Sequence, residues 1–184
     1  DKDTIIDGWT VIDPLEVTNE PFDSFIVERH GHRANLTLYH PDVHPDLGIY
    51  EILKRLPRDY IPELLANGIW ESRRYEVTDL IHHPNVLALQ SASIDLPTIQ
   101  QFVKSMGRIL SSLSENGLRH GNIRPENIFI SKQDPLNLIL SGFQYSRLST
   151  FDLDTVKQPI STRYIAPEVV AGGISVASDW WSLG

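Results

Sequence analysis

Leu118-Arg119-His120-Gly121-Asn122-Ile123-Arg124-Pro125-Glu126-Asn127-Ile128 is the stretch on which the reading of this chain turns. It joins two elements that the pattern of residues makes plain. Before it, Ile99, Phe102, Val103, Met106, Leu110 and Leu113 recur at helical spacing and form the core-facing stripe of the longest helix, with Gly117 where a C-cap glycine belongs. After it, Ile128-Phe129-Ile130 and Leu138-Ile139-Leu140 read as a hairpin. The stretch between is therefore a polar loop held between a long helix and a strand pair.

Working outward, the first half is rich in strands. Thr10-Val11-Ile12, Phe25-Ile26-Val27 and Leu36-Thr37-Leu38-Tyr39 read as strands, the last two joined by a turn at Arg29-His30-Gly31-His32. Leu47, Tyr50, Leu53 and Leu56 mark a helix closed by Pro57, and a second hairpin is expected around Ser72-Arg73. A break at Pro84 precedes the long helix.

Composition bounds the function. The chain has 184 residues, 41% of them apolar and 22% charged, which is ordinary globular usage. The longest apolar runs are far short of the roughly 20 residues that cross a bilayer, and no secretory leader opens the chain, so a cytoplasmic domain is expected. It contains no cysteine, which excludes disulfides and thiolate metal sites. A net charge of −8 argues against nucleic acid, whose phosphates need Lys and Arg. The histidines, among them His30, His32, His40, His44, His82 and His83, lack the spacing of metal ligands, so no metal site is expected.

The central stretch resembles the catalytic loop of protein kinases, in the His-Gly-Asp variant common in bacterial kinases. Arg163-Tyr164-Ile165-Ala166-Pro167-Glu168 is similar to the Ala-Pro-Glu end of an activation segment, and Ser178-Asp179-Trp180-Trp181-Ser182-Leu183-Gly184 to the start of the following helix. These motifs occur in kinase order. The resemblance implies an α+β, two-lobe fold: a small antiparallel sheet with one helix over residues 1–80, and a helical lobe over 81–184, truncated where the family continues. It also implies that His120 and Asp179 pin the catalytic loop, that Glu51 stands near the family's helix glutamate, and that Glu168 pairs with an arginine beyond Gly184. A simpler partner for Glu51 is Arg55, one turn on.

Phosphoryl transfer is mostly positioning and charge neutralisation, so the family needs particular charged groups. Where it keeps a catalytic aspartate this chain has Asn122, an amide that holds a hydrogen bond but has no basic pKa near neutrality. Where it keeps the metal-binding aspartate there is Ser141, followed by Gly142 and Phe143; a neutral hydroxyl is a poor ligand for a hard dication. Where it keeps the phosphate-pairing lysine there is Thr37. Asn127, the second metal ligand of the family, is retained, with loop-holding hydrogen bonds as its simpler role. Arg124 replaces the loop lysine. Asp13 to Asp23, in the place of the phosphate-cradling loop, contains no glycine and carries four carboxylates.

These replacements lead to the expectation of a catalytically inactive pseudokinase: not an enzyme, with no cofactor, acting as a scaffold or regulator of a protein partner, such as a kinase or the rest of its own polypeptide. The alternative is an ATP-dependent phosphotransferase or nucleotidyltransferase with a rearranged site. The Ser- and Thr-rich segment from Ser146 to Thr162 is expected to be a solvated loop open to phosphorylation. Val169, Val170, Ile174, Trp180, Trp181 and Leu183 are expected to form an apolar patch that something else covers.

Overall fold

Alternating apolar residues and two tight turns make the first part of the chain a six-stranded antiparallel sheet with strand order β1-β2-β3-β4-β6-β5. The computed structural model describes residues 2–15, 19–89, 94–148, 154–155 and 163–184. The strands are β1 (Ile5–Ile6), β2 (Trp9–Pro14), β3 (Phe22–Arg29), β4 (His32–Tyr39), β5 (Leu64–Trp70) and β6 (Arg73–Asp79). β3 and β4 pair without interruption from Phe22↔Tyr39 to Arg29↔His32. Their turn, His30-Gly31, has φ of 53° and 80°, the left-handed pair that matches the twist of a two-residue hairpin.

The β5–β6 turn falls on Glu71-Ser72, at φ 46° and 66°, and not on Ser72-Arg73 as expected. Arg73 is on the strand, opposite Trp70. There its guanidinium donates to Asp23 at 2.6 Å and to the carbonyls of Tyr39 and Leu38. Burial works to raise the Asp23 pKa, but the bond to Arg73 and its charge hold it below the usual value. One carboxylate of the acidic Asp13–Asp23 stretch is thus neutralised by a distant strand.

The sheet's buried face gathers Ile6, Trp9, Val11, Val27, Ala34, Leu36, Leu38, Tyr75 and Val77. Full burial of such side chains is worth about 1.5–3 kcal/mol each. The Arg29 guanidinium lies 4.3 Å over the Trp9 ring. Tyr75 donates its hydroxyl to Asp7, and burial, reinforced by that bond, pushes its pKa up to about 12.

The chain divides into two units, residues 1–45 with 63–81, and 46–62 with 82–184. The segment around α1 (Gly48–Leu53) therefore groups with the second unit, whereas the expectation assigned it to the sheet lobe. The reason is local to that unit: the Asp46 carboxylate accepts the backbone N–H groups of Gly48 at 3.0 Å and Leu148 at 2.9 Å. α1 is also shorter than the expected run to Leu56, ending at Leu53.

The remaining elements all belong to the second unit. They are α2 (Leu96–Glu115), β7 (Leu118–Arg119), β8 (Ile128–Gln133), β9 (Leu136–Leu140), β10 (Arg147–Leu148), β11 (Asp154–Thr155), α3 (Pro167–Val170), β12 (Gly173–Ile174) and α4 (Val176–Leu183). Asp95 caps α2 by accepting the Thr98 N–H at 2.9 Å. Met106, Ile109, Leu110 and Leu113 are buried, but Ile99 and Val103 are 47% and 51% exposed, so the apolar stripe is buried only in its C-terminal half. β8 and β9 form the expected hairpin. No helix among the described residues is long and apolar enough to cross a membrane. The α+β expectation holds.

Candidate active site

His120 is fully buried just after β7, and its position is set by backbone and by α4. Asp179 accepts the N–H of His120 on Oδ2 at 2.8 Å and that of Gly121 on Oδ1 at 2.9 Å. The Ser146 hydroxyl donates to the His120 carbonyl at 3.0 Å. On the ring, Nδ1 accepts the Asn122 N–H at 3.2 Å, so the proton sits on Nε2, which donates to the Ser141 carbonyl at 2.8 Å. Burial lowers the His120 pKa to about 4; the Ser141 carbonyl opposes this and the nearby Arg124 charge adds to it. Burial pushes Asp179 up to about 6, against the two N–H donors and Arg119. The pair predicted to pin the loop therefore does so.

Asn122, Asn127 and Ser141 come together on this frame. The Asn127 amide donates to the Asn122 carbonyl at 2.8 Å, the side-chain-to-backbone bond expected of it. The Ser141 hydroxyl donates to the Asn127 carbonyl at 3.3 Å, and the Ser141 N–H donates to the same oxygen at 2.8 Å. Gly142 turns the chain at φ 84°; a Cβ there would come within 2.6 Å of Asn127 Cγ. Gly121, at φ 74°, likewise has the Tyr145 carbonyl 3.2 Å from where a Cβ would stand. Both glycines are required by conformation and by space. Asn122 is 7% exposed and lines a niche of about 10 Å³ with Arg124, Tyr164 and Ile165, room for about one water.

The magnesium that the family's chemistry uses does not fit the donors present. Ser141 offers only a neutral hydroxyl, which donates to a backbone carbonyl, and Asn127, whose amide N–H is held by the Asn122 carbonyl, offers only its neutral Oδ1, so neither supplies the carboxylate that a hard dication calls for. No group of three or more His, Asp or Glu that could hold a metal occurs among the described residues.

Thr37 belongs to the other unit, on β4, 1% exposed, opposite Ser24 on one side and Glu76 on the other. Glu76 is itself 3% exposed and accepts the Tyr39 hydroxyl at 3.1 Å. A buried carboxylate thus stands beside the position where the resemblance expects a lysine. Nothing in the alternation of β6 marks it, because Tyr75 and Val77, its neighbours on the opposite face, are buried as well.

Glu51 and Glu168 both have partners within the chain. Glu51 makes its ion pair with Lys54 at 2.8 Å, three residues on, and the Arg55 charge acts on it more weakly. Glu168 accepts the Ser178 hydroxyl at 2.7 Å and the Ser175 hydroxyl at 3.4 Å, and the Ser178 bond holds its pKa below the usual value. Ser175 and Ser178 also make a capping box that starts α4. The sequence signal for this network is two serines three apart, Ser175 and Ser178. Of the expected patch, Val169 and Ile174 are buried within the chain, while Val170, Trp180 and Trp181 are 51%, 41% and 61% exposed. Most of the Ser146–Thr162 segment lies outside the described residues.

Comparison with known proteins bears on this arrangement. Residues 50–184 match the protein kinase domain family. The chain is 27% identical over 139 residues to the serine/threonine-protein kinase AtPK1/AtPK6 of Arabidopsis thaliana, covering 73% of this chain and 29% of that protein. It is 28% identical over 144 residues to the citron Rho-interacting kinase of Mus musculus, covering 72% of this chain and 7% of that protein. Among solved structures, the PknI kinase domain of Mycobacterium tuberculosis superposes with a TM-score of 0.69 at 20% identity, covering all of this chain and 73% of that one. These matches overturn the expectation that the chain is not an enzyme: the curated relatives are named serine/threonine kinases, of which the chain spans less than a third. The chain belongs to the protein kinase domain family.

Proposed function

We propose that this kinase-like domain is an ATP-dependent phosphotransferase with a rearranged site, acting slowly on a protein hydroxyl in complex with a partner it also regulates. The observation that carries the reading is the assembled loop: Asp179 on His120 and Gly121, His120 on Ser141, and Asn127 on Asn122. Such a frame holds residue 122 in one orientation, and positioning is the larger part of phosphoryl transfer. Asn122 would orient the attacking hydroxyl without taking its proton, which passes to solvent as the γ-phosphoryl moves from ATP and ADP leaves. Arg124, on the same loop, would meet the charge of the transferred group. Losing a general base of this kind costs about 10²–10⁴ in rate, so the expected turnover is slow.

The test is incorporation of radiolabel from γ-labelled ATP into casein by the purified chain. Slow transfer is expected, and it should rise in Asn122→Asp. No transfer by either protein would sink the proposal.

A further inference from the structure

The face of α2 that bears Lys104 and Arg108 is exposed and carries two like charges one turn apart, a spacing at which they repel. Neither has an ion-pair partner among the described residues. Both line an open groove of about 680 Å³, in the size range of ligand sites. Tyr60, Ser111 and Ser112 supply hydroxyls to it, and Glu115 is its single carboxylate. All of these residues lie in the second unit. Between the two cations stands Gly107, which leaves the helix surface flat; a Cβ there would meet the Trp180 ring at 3.6 Å. Trp180 is 41% exposed, so an apolar surface adjoins the cationic one.

We propose that this groove docks an acidic segment of a protein partner, with carboxylates on Lys104 and Arg108 and a neighbouring apolar side chain against Trp180. Charge complementarity selects the occupant: two unpaired cations and three hydroxyls offer donors, and only Glu115 offers an anion. An acidic segment would also remove the repulsion between the cations. Because the chain as a whole carries −8, the attraction is local, acting within about 8 Å at physiological salt. The inference rests on the protein-partner part of the function proposed above and is independent of the phosphoryl-transfer part.

The test is fluorescence anisotropy of a labelled peptide of alternating glutamate and leucine, with a lysine–leucine peptide as control. Saturable binding of the acidic peptide is expected, falling about tenfold or more in Lys104→Glu/Arg108→Glu and weakening with added salt. Lys104→Gln/Arg108→Gln should fall less, and Glu115→Gln should tighten binding. Both cations are exposed, so the variants should keep the parent melting temperature. Absence of saturable binding, equal affinity in the charge-reversed variant, or equal binding of the lysine peptide overturns the proposal. Radiolabel transfer, measured separately, distinguishes that failure from failure of the phosphotransferase reading.

Discussion

The Asp179 carboxylate receives the backbone N–H of His120 at 2.8 Å, and these two buried groups depart from their ordinary pKa values in opposite directions. His120 titrates near 4 in the folded protein against 6.5 when unfolded. The unfolded chain takes up its proton first, so stability is lost as pH falls from 6.5 to 4. Asp179 titrates near 6 against 3.8. Here the folded protein takes up the proton first, so stability is gained as pH falls from 6 to 3.8. Each effect is worth about 3 kcal/mol, and they offset one another. Asp179→Asn removes only the second. Urea titrations of that variant should show stability falling between pH 6.5 and 4 more steeply than in the parent. Parallel profiles would mean that the raised pKa of Asp179 contributes nothing to the acid response.

Gly142 is the tightest backbone position of the site. Ala there must adopt φ 84° and push its Cβ into the Asn127 amide. Strain of this kind costs about 1–3 kcal/mol, and displacement of Asn127 would break its bond to Asn122. Gly142→Ala should lower the urea midpoint accordingly, whereas Gly172→Ala, with φ 93° and no neighbour within 4 Å, should show strain alone. Equal losses in the two variants would refute the contact with Asn127.

Much of the candidate site was legible because its parts are local. His120, Asn122 and Asn127 fall within one loop, and Asp179 comes from a second motif whose order fixes its role. The misreadings share a different cause. Ile99 and Val103 keep the helical period of Met106 and Leu110, and periodicity cannot say where along a helix the cover stops. The turn at Glu71-Ser72 depends on two positive φ angles in residues that do not advertise them. Arg73 on Asp23, Tyr75 on Asp7 and the buried Glu76 are pairings of distant strands, set by register rather than by any neighbouring residue.

The Glu71-Ser72 turn is open to improvement. Type I′ turns favour Asn-Gly because both central residues have positive φ. Ser72→Gly removes the Cβ penalty at φ 66° and should stabilise the protein by about 0.4–1 kcal/mol, net of the added freedom of the unfolded chain. Thermal unfolding should show a higher midpoint. An unchanged or lower one would indicate that Ser72 makes a compensating contribution through its side chain.

The last prediction concerns how α4 is held so that Asp179 reaches the loop. The Ser178 hydroxyl donates to Glu168 at 2.7 Å, and the Ser175 hydroxyl accepts the Ser178 N–H at the first turn of the helix. Ser178 is 2% exposed, so Ser178→Ala removes a buried donor and half of the capping box together. The expected loss is about 1–2 kcal/mol, comparable to Ser175→Ala. If the Glu168 bond is part of that loss, Ser178→Ala and Glu168→Gln will not add. Their double variant should be more stable than the sum of the single losses implies by about 0.5 kcal/mol or more. Because Asp179 follows Ser178 directly, the same variants should also weaken amide-exchange protection at His120 and Gly121, whose N–H groups Asp179 receives. Additive losses with undiminished protection would show that α4 is positioned by its packing and not by this hydroxyl network.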